Sequence, residues 1–145
     1  MRLLTTLAVL GLLSLTGRIA YGQPFPAPSV DRVGFPADYQ STFTRLLTVD
    51  RPDNGQIRVI WGNALAARSN WWEGYPYGSV LLFESWTSMR NADGTLAFDE
   101  NGRLIPNALS TLFVKRKGEG FGADYKDVRN GEWEYIAYQI GRAHV

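Results

Sequence analysis

The chain has 145 residues, no cysteine and a single histidine, His144. Without cysteine, the chain's own residues cannot form a disulfide, a thiolate nucleophile, an iron–sulfur cluster or the covalent attachment of a haem. One histidine disfavours a histidine-rich metal centre and a Ser-His-Asp triad, so we expect no metal site in this chain. Basic and acidic residues number 15 and 14. Charge therefore gives no support for nucleic acid or an anionic membrane as a partner.

The first 22 residues are typical of a signal peptide. Arg2 precedes an apolar run over residues 3–15, and the stretch ends in the small-x-small sequence Ala20-Tyr21-Gly22. The run is too short for a transmembrane helix. We expect cleavage after Gly22 and export to a bacterial periplasm or the medium, with no membrane attachment afterwards. Residues 23–145 have the length of one domain.

The remaining sequence predicts an α+β fold that is mainly β. Prolines make residues 23–36 an extended lead-in, and Asn54-Gly55 is the type of dipeptide that closes a β-hairpin. Asn63 is a candidate N-cap for a short helix over residues 64–68. Runs rich in β-branched and aromatic residues predict an antiparallel sheet with one or two short helices, its strands at residues 43–50, 56–61, 79–86, 112–117 and 132–139.

Aromatic residues are abundant, with 5 Trp, 7 Tyr and 7 Phe. Three uses fit this composition, and composition does not choose among them. The rings can fill a small β core, wall a flat apolar ligand such as a haem, or stack on sugar rings. For the last use, the candidate platform is Trp71, Trp72 and Tyr75.

Glu84 is the most notable carboxylate because it interrupts an apolar strand, where an unpaired charge is costly. Two functional roles suit such a group. It can handle protons with a raised pKa, or it can pair with Arg58 or Arg116. A solvent-facing glutamate at a strand end is the structural alternative.

The order of motifs resembles the cytochrome P-460 family over most of residues 33–139. No single motif is specific, and the resemblance depends on their order and spacing. After the export signal come Val33-Gly-Phe-Pro-Ala-Asp-Tyr39, Arg58-Val-Ile-Trp-Gly-Asn63, Tyr75-Pro-Tyr-Gly-Ser-Val-Leu-Leu-Phe-Glu84, Leu112-Phe-Val-Lys115 and Asn130-Gly-Glu-Trp-Glu-Tyr135.

The resemblance implies a small β domain, commonly dimeric, that carries one c-type haem. Some members oxidise hydroxylamine, and relatives bind nitric oxide or other small gases without turnover. Enzymatic members carry a lysine cross-linked to the haem, and the stretch Ala64-Leu-Ala-Ala67 after Asn63 has none. The resemblance therefore leaves open whether the protein is an enzyme.

The family attaches its haem through a C-terminal Cys-x-x-Cys-His, which this sequence does not contain. Residues 140–145 break the alternation of the preceding strand and can be encoded by a sequence that resembles a sequencing adapter. Our hypothesis is that native sequence ends near Gln139 and that the c-type haem belongs to the full-length protein.

The sequence thus predicts an exported c-type haem protein with redox or small-gas chemistry. A gas or small molecule, a redox partner protein and a second copy of the chain are the expected partners. The alternative is a haem-free exported β module that binds a ligand on an aromatic platform. The candidate haem-pocket residues are Trp61, Trp71, Phe83, Trp86 and Arg58, with Glu84 as the candidate catalytic residue.

Overall fold

The computed structural model describes residues 31–70 and 72–139. The predicted signal peptide, Trp71 and the suspected tail at 140–145 lie outside these residues. Five strands form one antiparallel sheet in the order β1-β2-β3-β4-β5, so each strand pairs with its neighbours in sequence. The strands are β1 (Thr44–Arg51), β2 (Gln56–Gly62), β3 (Val80–Ser88), β4 (Pro106–Lys117) and β5 (Trp133–Gln139).

Three short helical segments accompany the sheet: α1 (Tyr39–Thr42), α2 (Ala64–Ala67) and a 3₁₀ segment (Ala123–Val128). The predicted fold class is therefore confirmed, and β3 is the central strand as expected. No helix in the described ranges is long and apolar enough to cross a membrane.

Local signals in the sequence set several of these boundaries. Gly55 has φ +66°, which lets the Asn54-Gly55 turn return β1 into β2. Asn63 caps α2 as predicted, because its side-chain oxygen accepts the backbone N–H of Ala66 at 3.0 Å. β4 begins at Pro106, whereas the predicted strand began at residue 112. The earlier start is compatible with proline, which is tolerated as the first residue of a strand.

The sheet has two faces that are covered to different extents. On one face the lead-in and α1 pack Val33 and Tyr39 against Val80, Leu82, Leu112 and Val114. On the other face a smaller cluster joins Ala66 of α2, Leu81 and Trp133. The first face is closed over most of its area, whereas the second is covered mainly at one end.

Candidate functional site

The predicted site residues divide between the two faces. Side chains alternate along a strand, so Phe83 and Glu84 point in opposite directions. Trp61, Glu84 and Trp86 lie together on the face with Tyr39, where they line a common cleft. Phe83 packs with the cluster on the other face, and Arg58 lies there too because its neighbours Ile57 and Val59 line the cleft. The predicted pocket residues therefore do not form a single site.

We call the less covered surface the open face, and its exposure is clearest on β4. Phe113 is 41% exposed, although Leu112 and Val114 beside it are only 5% and 1% exposed. Leu47 and Tyr135 are also exposed on this side of the sheet. Apolar surface of this kind in the middle of a sheet is typical of a binding surface.

Lys115 and Arg58 lie on the open face beside Phe83, and Lys117 lies at its covered end, where its ammonium donates to the carbonyl of Tyr75. The Lys115 ammonium is 4.6 Å from the ring centre of Trp133 and 5.5 Å from that of Phe83. Burial lowers the pKa of Lys115. Neither Lys115 nor Arg58 forms a salt bridge with a carboxylate within residues 31–70 and 72–139.

On the opposite side of the sheet is a cleft of about 360 Å³. An ion pair forms part of its lining, where Arg103 Nε lies 2.6 Å from Asp50 Oδ2. Its walls come from α1, β1, β2, β3, the segment before β4 and the first residue of β4. The lining residues are Gln40, Arg45, Thr48, Asp50, Ile57, Val59, Trp61, Glu84, Trp86, Arg103, Leu104 and Pro106.

Glu84 is buried at this cleft and accepts hydrogen bonds from two neutral donors. The Tyr39 hydroxyl donates to Oε1 at 2.7 Å, and Trp86 Nε1 donates to Oε2 at 2.8 Å. The expected pairing with Arg58 or Arg116 is wrong. Arg58 lies on the open face, and Arg116 Nε donates to the carbonyl of Val33 at 2.7 Å. Burial and the hydrogen bond to Glu84 raise the pKa of Tyr39.

Trp61 is the second aromatic wall of the cleft. Its ring lies edge-on to Tyr39 with 5.7 Å between the ring centres. The buried Trp61 Nε1 has no hydrogen-bond acceptor among the described residues. Of the predicted aromatic platform, Tyr75 packs against Trp133 and Trp72 is largely exposed. Trp71 lies outside the described residues, so the platform stays a prediction.

Three important residues were missed by sequence reasoning: Tyr39, Phe113 and Lys115. Strand alternation offered a signal for the last two, since Leu112 and Val114 share one face and leave Phe113 and Lys115 to the other. Nothing local indicated that Tyr39 reaches Glu84, which is 45 residues away. No group of three potential metal ligands occurs in the part of the chain that the structure describes.

Comparison with known families supports the resemblance that the motifs suggested. A family model described as Cytochrome P460 matches residues 36–144, which is most of the chain. No curated protein matches the chain significantly. The match includes all five strands and both candidate surfaces. The chain belongs to the Cytochrome P460 family, a family of haem proteins.

Proposed function

We propose that the protein holds its haem against the open face and uses it for small-gas binding or electron transfer. The observation that carries the proposal is an uncovered aromatic surface flanked by Arg58 and Lys115, neither of which forms a salt bridge among the described residues. A haem is a flat apolar macrocycle with two propionate groups, so it needs both kinds of contact. The open face offers both, and the residues therefore fit the group.

The strand register places the cations on both sides of Phe83. Arg58 pairs with Ser85, and Lys115 pairs with Leu81, each two residues from Phe83 along β3. Phe113 pairs directly with Phe83 and extends the aromatic surface. A macrocycle stacked on these two rings therefore meets a cation at either edge, which supports pairing with the propionates.

A bound haem would supply an iron that changes oxidation state or binds a small gas. The residues of the open face contribute packing, charge and exclusion of water. Oxidation of hydroxylamine releases protons, and Glu84, the carboxylate expected to handle them, points away from this face. This arrangement favours gas binding or electron transfer over hydroxylamine turnover.

The placement is tested by titrating the full chain with haemin and following the Soret band. We expect binding that is weakened at least about tenfold by Arg58→Ala combined with Lys115→Ala, and abolished by Phe113→Glu, which puts a charge under the macrocycle. Arg45→Ala is the matched control, because it removes a cation from the cleft side. Loss of binding in the control but not in the open-face variants would place the haem in the cleft, and no binding by the wild type would overturn the proposal.

Attachment, export and assembly extend this proposal. The chain supplies no cysteine for a thioether bond, so c-type attachment depends on the predicted Cys-x-x-Cys-His of the full-length protein. Export to the periplasm predicts a mature protein that begins at Gln23, which intact-mass measurement tests. A homodimer predicts twice the chain mass in light scattering, and the exposed Leu46 and Leu47 on the edge strand β1 support it.

The cleft favours one alternative, a haem-free module that binds a ligand between aromatic walls. Trp61 and Trp86 line it, and its volume lies in the lower part of the range of roughly 300–1,000 Å³ typical of ligand pockets. This alternative predicts that a simple glycoside quenches tryptophan fluorescence in a protein that shows no Soret band. A bound haem without such quenching would reject it.

A further inference from the structure

Glu84 is a buried carboxylate at the cleft, and the part of the chain that the structure describes supplies no cation for it. The residue is 3% exposed, and none of the salt bridges in residues 31–70 and 72–139 involves it. Its two oxygens accept hydrogen bonds from the Tyr39 hydroxyl and from Trp86 Nε1, as suits an ionised carboxylate. Both donors are neutral, so the negative charge is buried without a counter-ion, which is costly.

The other buried acidic residue of the described chain has a cation of its own. Glu134 is fully buried and forms a salt bridge with Arg32, whose Nε donates to Oε2 at 3.1 Å. The backbone N–H of Gly122 also donates to Glu134. The fold therefore pairs one buried carboxylate internally and leaves Glu84 with neutral donors. Glu84 is also the one that lines a cleft, where a ligand can supply the missing charge.

The walls of the cleft indicate which kind of cation suits it. Trp61 and Trp86 line the cleft together with Glu84. The strand register explains this, because Glu84 pairs with Val59, two residues from Trp61, and Trp86 is two residues further along β3. Aromatic rings attract organic cations through their π-faces. A metal ion would instead need several oxygen ligands, and no group of three potential metal ligands occurs among the described residues.

We propose that the cleft is a second ligand site, which binds a small organic ammonium ion with Glu84 as its counter-ion. The cation packs against the rings of Trp61 and Trp86, while the hydrogen bond from Tyr39 holds the carboxylate in place. Quaternary ammonium ions suit such a site because aromatic rings recognise them without hydrogen bonds. The inference does not rest on the proposed function, since Phe83 and Glu84 point to opposite faces of the sheet.

The positive groups in the lining do not take the place of this ligand. Arg103 is engaged with Asp50, and the pair adds no net charge. Arg45 is exposed, and its Nη2 donates to Thr48 Oγ1 at 2.8 Å, so water screens its charge. The charge that a ligand meets at Glu84 is therefore negative.

The test compares choline with its neutral carbon isostere, 3,3-dimethyl-1-butanol, by calorimetric titration of the full chain. The two probes have the same shape and the same hydroxyl group, and they differ in charge. At constant ionic strength we expect choline to bind at least about tenfold more tightly than the alcohol, since the contacts with Glu84 and with the rings both depend on the charge. Equal binding of the two probes, or no binding of choline at millimolar concentration, would overturn the proposal.

Two variants and a matched control assign the site. Glu84→Gln keeps the volume and removes the charge, so it should weaken choline binding at least about tenfold. Glu119→Gln removes an exposed carboxylate beyond the end of β4 that is far from the cleft, and it should bind choline like the wild type. Arg45→Ala should also retain binding. Loss of binding in Arg45→Ala but not in Glu84→Gln would show that the cleft takes an anion and would contradict the proposal. If Glu84→Gln does not fold, the comparison of the two probes in the wild type decides.

Haemin titration of the same protein separates this inference from the proposed function. The two sites lie on opposite faces of the sheet, so saturating choline should leave haemin binding unchanged. Displacement of haemin by choline would put both ligands in one site and overturn the inference. Choline binding in a protein that does not bind haemin would contradict the proposed function alone.

Discussion

If the open face is exposed, alanine substitution should lower the free energy of unfolding more at Leu82 than at Phe113. These two apolar residues lie on adjacent strands. Leu82 on β3 is fully buried beneath α1 and the lead-in, whereas Phe113 on β4 points to the open face. Replacing each by alanine removes apolar side-chain atoms from the middle of the sheet. The loss of β propensity is common to both variants, so the difference between them reports burial.

The expected magnitudes follow from exposure. Leu82→Ala leaves a cavity in a closed core and should lower the free energy of unfolding by about 2–5 kcal/mol. Phe113 is 41% exposed and borders solvent, so no enclosed cavity forms. Scaling the roughly 1.5–3 kcal/mol of full burial by the covered fraction gives about 1–2 kcal/mol for Phe113→Ala.

Urea unfolding followed by tryptophan fluorescence measures both free energies, and haemin titration gives the second readout. Phe113→Ala should weaken haemin binding, whereas the folded fraction of Leu82→Ala should bind haemin like the wild type. A Phe113→Ala variant as unstable as Leu82→Ala would show that this face is closed in the folded protein. Our reasoning about the haem surface would then be refuted.

Three further predictions concern residues that stabilise the fold around the two faces. Asn63→Ala removes hydrogen bonds to the N–H groups of Ala66 and Val80 and should cost about 1–2 kcal/mol in urea unfolding, with Asn63→Asp retaining part of the stability. Gly94→Ala should lower the free energy of unfolding by about 1–2 kcal/mol, which is the backbone cost of a positive φ alone. Gly122→Ala should lower it further, because the new Cβ would lie 2.8 Å from a backbone carbonyl oxygen. Equal melting temperatures of the two variants would contradict this. The hydrogen bonds from Arg103 lower the pKa of Asp50 below its ordinary value of 3.8, so this pair stabilises the fold above that value and loses its effect as the pH falls through the lowered pKa. Urea unfolding at several pH values should therefore show a shallower loss of stability in acid for Arg103→Met than for the wild type, and parallel curves would exclude the contribution.

Much of the sheet could be predicted from the sequence because its signals are local. The Asn54-Gly55 turn, the apolar run of β3 and the Asn63 cap each depend on residues within one element. α1 and the 3₁₀ segment were not predicted, since neither has a periodic apolar pattern long enough to detect. Their positions depend on packing against the finished sheet.

The candidate site was harder to predict than the fold, for a reason visible in β3. The four residues from Val80 to Phe83 are all apolar, so their hydrophobicity does not show which face is closed. Alternation along the strand does separate Phe83 from Glu84, so these two residues face opposite sides of the sheet. The contact between Tyr39 and Glu84 depends on how the lead-in folds back over the sheet, which no local pattern specifies.

The separation of the two faces has a chemical consequence. Phe83 and Glu84 are consecutive, so the thickness of one sheet divides an aromatic, cationic surface from a buried proton acceptor. A haem on the open face would meet rings and positive charge, whereas Glu84 would lie on the other side of the sheet. A shift of β3 by one residue would exchange Phe83 and Glu84 and bring the carboxylate to the haem. The register of this single strand therefore sets whether a haem on the open face would lie beside a base or beside an apolar wall, and the observed register puts Phe83 on that face.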